Sequence, residues 1–328
     1  MPEPKAAASA VPFQPKPALG YVLAGLTAAV TAVAWIAAKP VLDYLDPLSF
    51  SVSQFGLASV FSFTWLLIHR QTGALVHVTP RQWTFLVVVS LLFLSAVYTM
   101  WIGLSMLPAT SASLLNRLEI FITVFLGMAL LGDRITRREL WGALVMFGGV
   151  VVLRYEAPPG FSAGFYMMVL SSTLFGLTEV MVKARVHAIP PDVFGFVRNF
   201  LVFAFCFLAA GWRVFMKEEG FWRGLIDWDG VVRGFPLIAA TALVGPFLAR
   251  TIYMYSYRHL EISRIAIIKQ SEPLFVAFFS SILLHTLPSR REWTGGLLIL
   301  AGSLLLVSWR QSMKWIRARR AGAAGPER

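Results

Sequence analysis

Apolar residues run through this chain in stretches of about twenty, separated by short polar links, and the runs lack the polar face of a helix solvated by water on one side. A bilayer core of roughly 30 Å needs about 20 apolar residues per helix. The pattern therefore predicts ten spans, at roughly 18–39, 48–68, 82–105, 109–131, 138–154, 162–184, 193–214, 234–257, 261–284 and 292–309. Residues 1–17 are rich in Pro and Ala and read as a disordered tail, and 310–328 as a basic cytoplasmic tail. The apolar run after the first tail is too long for a signal-peptide core, so it reads as a retained helix.

The pattern also repeats. Leu104–Leu153 returns without a gap at Tyr257–Leu306, pairing Leu107 with Leu260, Glu119 with Glu272, Gly142 with Gly295 and Gly149 with Gly302 at an offset of 153 residues. Upstream, Gly20 pairs with Gly164, Lys39 with Lys183 and Phe50 with Phe194 at an offset of 144. The nine extra residues of the second half are placed in the charged link Trp212–Arg233. Each unit holds five spans, and an odd number inverts the second unit relative to the first. The expected fold is an all-α integral membrane protein with ten transmembrane helices in two inverted five-helix repeats, residues 18–154 and 155–309. With the N-terminus inside, basic residues favour the inner side roughly two to one, including the run from Arg310 to Arg328.

Composition agrees with lipid as the main solvent. Of 328 residues, 57% are hydrophobic and only 14% charged, against about 25% charged in soluble domains, and the mean hydropathy is +0.68. A net charge of +12 would suggest nucleic acid in a soluble protein, but here the basic residues sit mainly in links and tails. The single cysteine, Cys206, excludes an intrachain disulfide.

The stretch LLGDRITRRELWGALVMFGGVVVL, Leu130–Leu153, resembles the end of the repeat in EamA-type members of the drug/metabolite transporter superfamily. Ser271-Glu272-Pro273-Leu274-Phe275 is similar to the Glu-Pro turn of that family's ninth helix, and Phe196-Val197-Arg198-Asn199-Phe200 to the F-R-F of its seventh. The resemblance covers about residues 18–309. Asp133 replaces the usual Glu, Ile120 stands where Pro follows the first Glu, Gln54 replaces Arg, and His285-Thr286-Leu287-Pro288 lacks the acidic residue. The resemblance implies a ten-helix carrier of small metabolites, often outward, without fixing a substrate.

Ionisable side chains inside a bilayer cost about 2.5–3.5 kcal/mol each on insertion scales and need a reason. Counted along their helices, Glu119 and Glu272 fall near the midplane, where repeat symmetry would set them around a common cavity. Lys269 precedes Glu272 by three residues, the spacing of one helix face, and Asn116 takes the equivalent place before Glu119. Arg198 lies inside the seventh span and Arg250 deep in the eighth. Locking of each Glu to its neighbour as a brace is equally compatible with these positions. The cations Arg117, Arg198, Arg250 and Lys269 outnumber Glu119, Glu179 and Glu272, so the cavity is expected to favour a carboxylate or phosphate. Tyr98 and Trp101 on the third span, with Tyr253 on the eighth, are candidates to line it. Lys39 and Lys183 near helix ends read as snorkelling amines. Gly142, Gly148, Gly149, Gly295, Gly296 and Gly302 read as helix-packing positions.

Enzyme readings find little. Gly160-Phe161-Ser162-Ala163-Gly164 matches G-x-S-x-G but follows Pro158-Pro159 rather than a strand. There is no P-loop and no H-E-x-x-H, and the five histidines are scattered, so no metal or cofactor is expected. The expectation is a secondary transporter in the bacterial inner membrane, both termini cytoplasmic, exporting a small polar metabolite such as an amino acid or organic anion by alternating access. Energy would come from a proton or counter-solute. A lipid flippase and a non-transporting scaffold or sensor are the alternatives. Oligomeric state stays open.

Overall fold

The computed structural model describes residues 17–131, 137–154, 161–185, 189–217, 226–256 and 268–305, with the single positions 259 and 265. Among the described residues all regular structure is helical. The first half contains α1 (Pro17–Leu42), α2 (Pro47–Ile68), a one-turn α3 (Gly73–Val76), α4 (Pro80–Met106), α5 (Ala109–Asn116), α6 (Leu118–Leu131) and α7 (Arg137–Arg154). The second contains α8 (Phe161–Arg185), α9 (Pro191–Lys217), α10 (Trp228–Ala242), a π-helical stretch (Leu243–Ala249), α11 (Arg250–Ser256), α12 (Glu272–Leu283) and α13 (290–305).

Several starts are written in the sequence. Asp46 caps α2, accepting from the backbone N–H groups of Leu48 and Ser49, with Pro47 preset for the first turn. Thr79 and Gln82 form a capping box at α4. Ser289 and Glu292 do the same at α13, where Glu292 accepts from the Ser289 backbone at 2.8 Å and from the Ser111 hydroxyl of α5 at 2.5 Å. The triplet Arg290-Arg291-Glu292 therefore closes a helix end and ties it to the first half.

Among the described residues six helices are long and apolar enough to cross a membrane unaided: Ala18–Leu42, Pro47–Ile68, Pro80–Met106, Ala163–Val182, Pro191–Phe215 and Trp228–Tyr253. Leu140–Leu153 and Glu272–Leu283 are shorter apolar helices. The expected uninterrupted fourth span is corrected: it is broken at Arg117 into α5 and α6. The first part of the ninth span, the end of the tenth, the tip of the Trp212–Arg233 link, both tails, Asp133, Gly160 and Tyr257 lie outside the described residues. Outward faces of the long helices carry Val22, Val60, Trp141, Leu208 and Phe215, as a lipid-solvated bundle requires.

Packing is reciprocal between the halves. α1 lies along α10, the π-helical stretch and α11, while its repeat counterpart α8 lies along α4, the counterpart of that run. α2 packs on α9, and α5 on α12. A Cβ at Gly149 would lie 2.6 Å from the Gly295 carbonyl oxygen, and one at Gly302 would lie 2.6 Å from that of Gly142. These two contacts interchange under the 153-residue offset, and both require glycine because backbone meets backbone. Gly296 packs on Leu114, but Gly148 faces open space and is not a packing glycine. One apolar cluster gathers Trp35, Phe50, Trp101, Leu104 and Leu107 at one end of the bundle. A second gathers Leu66, Phe85, Leu86, Val193 and Phe194 at the opposite ends of the same helices α2 and α4.

Candidate functional site

Both halves interrupt a helix at matching places. In the first, Arg117 N–H bonds to Leu114 O and Ile120 N–H to Arg117 O, the tighter i→i+3 pattern. In the second, Ser271 N–H bonds to Ile268 O and Leu274 N–H to Ser271 O. Gln270 is the repeat counterpart of Arg117, so the breaks coincide within a residue. Glu119 then falls in the first turn of α6 and Glu272 in the first turn of α12. Helix N-termini favour such carboxylates through their free N–H groups and dipole.

Arg117 bridges the two breaks. Its Nη2 lies 3.1 Å from Glu272 Oε1, and its Nη1 donates to the Lys269 carbonyl at 3.2 Å. Both partners of the ion pair are sealed, at 3% and 1% exposure. Arg117 Nε and Glu272 Oε2 have no hydrogen-bond partner. The expected Lys269–Glu272 coupling is replaced by this cross-repeat pair, because the helical face those residues would share is interrupted at 270–271. Asn116 ends α5, buried, with its Oδ1 also unpartnered.

The remaining charges surround this pair. Glu119 is half-buried and shares its electrostatic surroundings with Lys269, Glu179, Arg117 and Glu272. Lys269 Nζ stands 5.2 Å from the Tyr253 ring centre, and Arg250 lies over the same ring at 5.8 Å. Arg198 is only 4% exposed. Its guanidinium covers Phe93 at 4.4 Å and donates to Asn199 Oδ1 at 3.0 Å. Asn199 in turn donates to Ser62 Oγ at 3.0 Å and to the Pro246 carbonyl at 3.5 Å, tying α9 to α2 and the π-helical stretch. Pro246 lacks the N–H that an α-helix would use there, which accounts for the widened turn.

Glu119, Glu272, Lys269, Asn116, Arg198, Arg250 and Tyr253 thus lie in one ionic region, together with Glu179. Tyr98 and Trp101 do not join it. Trp101 is packed among Trp35 and Phe50, with ring centres at 6.4 and 5.1 Å. Tyr98 neighbours Asp46 and Arg213 near the α1–α2 turn. Both sit toward the end of α4 away from the charges. Lys39, near the end of α1, pairs with Asp43 at 3.0 Å and donates to the Ser105 carbonyl at 3.1 Å; the Lys183 side chain lies outside the described residues. Sequence reasoning also missed the cleft residues Trp65, Phe196 and Phe247, because aromatics on an apolar helix carry no distinguishing pattern.

Two of the clefts on the described bundle touch the residues above. One of ≈ 290 Å³ lies among α5, α12 and α13, lined by Leu114, Pro273, Glu292 and Trp293. The other, ≈ 320 Å³, lies among α2, α9 and the π-helical stretch and reaches Arg250. Neither is lined by Glu119, Glu272 or Arg198. No cluster of metal-ligating side chains occurs among the described residues.

An apolar helical bundle with charges buried at helix breaks is the architecture of a polytopic membrane carrier. Residues 18–155 and 162–308 each match the EamA-like transporter family, and the chain belongs to that family, within the drug/metabolite transporter superfamily. It is therefore a multi-pass membrane protein of a transporter family. An uncharacterized transporter of Archaeoglobus fulgidus is 24% identical over 293 residues, covering 88% of this chain and 86% of its own. An uncharacterized transporter of Synechocystis sp. is 23% identical over 279 residues, covering 79% and 76%. A crystal structure described only as that of a protein shares the fold, with a TM-score of 0.54 at 16% identity over 91% of this chain and 99% of its own.

Proposed function

We propose that this protein is a secondary transporter, an exporter of a small polar metabolite such as an amino acid or organic anion across the bacterial inner membrane. Its ten spans form two inverted five-helix units, residues 18–154 and 155–309, with both termini cytoplasmic. The halves rock about the ionic region in alternating access, driven by a proton or counter-solute gradient.

The observation that carries this reading is the pair of matching helix breaks joined by the buried Arg117–Glu272 bridge. Broken helices that present charged groups at depth are how carriers of this plan form a site without exposing backbone to lipid. Two tandem family matches and the exchangeable Gly149–Gly295 and Gly302–Gly142 contacts support the two units and their symmetry. Glu119 and Lys269 retain partial exposure, which suits contact with a passing solute or proton.

The test is counterflow into proteoliposomes, preloaded in turn with amino acids, organic acids and amines. Labelled solute of one class is expected to accumulate transiently, and Glu119→Gln to abolish the accumulation without lowering Tm. Retention at the level of empty liposomes for every class, from protein shown to be folded, would return the chain to the scaffold reading.

A further inference from the structure

Arg250 is the charge that the bundle leaves unanswered. It is half-buried in an apolar helix run, and among the described residues it forms no ion pair and no hydrogen bond. Among the described residues its guanidinium lies over the faces of Phe194 at 5.9 Å and Tyr253 at 5.8 Å, and its Nε is buried without a partner. A cation at membrane depth is costly unless an anion or a polar cavity answers it. Arg250 lines the ≈ 320 Å³ cleft with Ser62, Trp65, Asp192, Phe196 and Phe247. The Trp65 indole Nε1 is likewise buried and unpartnered. Arg198, whose Nε is also unpartnered, lies within electrostatic range of Arg250.

Resting on the carrier reading above, we propose that this cleft seats the solute and that the solute is a small organic acid. Its carboxylate lies against Arg250 and the Trp65 indole N–H, and its aromatic or apolar body against Phe196 and Phe247.

Two lining residues of the cleft, Arg250 and Trp65, each hold a buried N–H donor without an acceptor. A carboxylate accepts from such donors, and guanidinium offers it a planar fork. An amine would meet the Arg250 cation, with Arg198 in electrostatic range adding to the positive field. The opposing charges nearby are Asp192 and Glu179. Asp192 lies in the first turn of α9, where helix N–H groups offset it. Glu179 lies near both Arg198 and Glu119 and is shared between them. Neither comes within ion-pair distance of Arg198 or Arg250 among the described residues. The walls are aromatic: Trp65 and Phe247 stand 6.0 Å apart, and Phe61 backs Phe247 at 6.1 Å. An anionic lipid offers the same combination of acid and apolar body, so the test separates a soluble acid from lipid.

The experiment follows thermal unfolding of the full-length protein in detergent with phenylacetate, with acetate, with phenethylamine and with phosphatidylglycerol. Phenylacetate is expected to raise Tm saturably, acetate to do so only weakly, and phenethylamine not at all. Arg250→Gln should weaken the phenylacetate response at least about tenfold while its ligand-free Tm stays near wild type, as befits a group held by ring contacts alone and by no ion pair or hydrogen bond among the described residues. Trp65→Phe should weaken it by about threefold, because the ring remains and only the donor is lost. Stabilisation by phosphatidylglycerol or phenethylamine in place of phenylacetate overturns the proposal, as does a phenylacetate response that Arg250→Gln leaves intact or no response at all. Failure here with counterflow of another solute intact removes the cleft and keeps the carrier; loss of counterflow for all solutes removes the carrier itself.

Discussion

The ion pair Arg117–Glu272 concentrates the physical problem of this molecule in two side chains. Each is desolvated in the bundle and each holds one unpartnered polar atom, so the remaining contacts have to compensate. Removing one partner leaves an uncompensated charge, worth about 3–5 kcal/mol in comparable buried pairs. Arg117→Met and Glu272→Leu are each expected to lower Tm strongly, and their combination to recover much of the loss. Thermal unfolding of the four proteins checks this; additive losses in the double variant would show that the two side chains act independently. Glu272 was legible in the sequence as a buried carboxylate, but its partner was not. Counting three residues back to Lys269 assumes a continuous helix, and the chain stops being one at 270–271. Arg117 was counted only as one of four cavity cations, because nothing in its sequence neighbourhood points to a partner on another helix. Tyr98 and Trp101 erred differently, since depth along α4 placed them toward the wrong end.

At the scale of elements, apolar runs and repeats gave nearly every helix end to within a few residues, because lipid thickness and capping chemistry are local rules. What they could not give was the break in the fourth span, since Arg117 and Gln270 differ chemically while the tight turns they occupy match. Glycine patterns were legible only in part. Gly149 and Gly148 are adjacent and equally small, yet one faces the Gly295 carbonyl and the other open space. Gly149→Ala is therefore expected to lower Tm by several degrees or prevent folding, since a rigid backbone oxygen would sit 2.6 Å from the new carbon. Gly148→Ala should be neutral or slightly stabilising, by the gain in helix propensity of roughly 1 kcal/mol. Equal Tm for the two variants would deny the close α7–α13 contact.

At the scale of the whole molecule, the proposed five spans per unit would make equivalent loops emerge on opposite sides of the membrane. The turn after α1 and the turn before α9 are equivalent under the 144-residue offset, which carries Asp46 onto Pro190. Tyr44 and Pro190 are both exposed in these turns, and Leu287 is exposed in the turn before α13. In intact cells, with the buried native Cys206 replaced by serine, a membrane-impermeant maleimide should label Tyr44→Cys and Leu287→Cys but not Pro190→Cys. Permeabilised cells should label all three. In the proposed orientation the basic residues of the 1–17 and 310–328 tails would set which side is which, since cationic segments favour the cytoplasmic face. Labelling of Tyr44→Cys and Pro190→Cys from the same side would leave the two units parallel. The reciprocal glycine contacts would then have to arise from a twofold axis along the membrane normal, and the carrier would lose the geometry by which one set of helix breaks can face either side in turn.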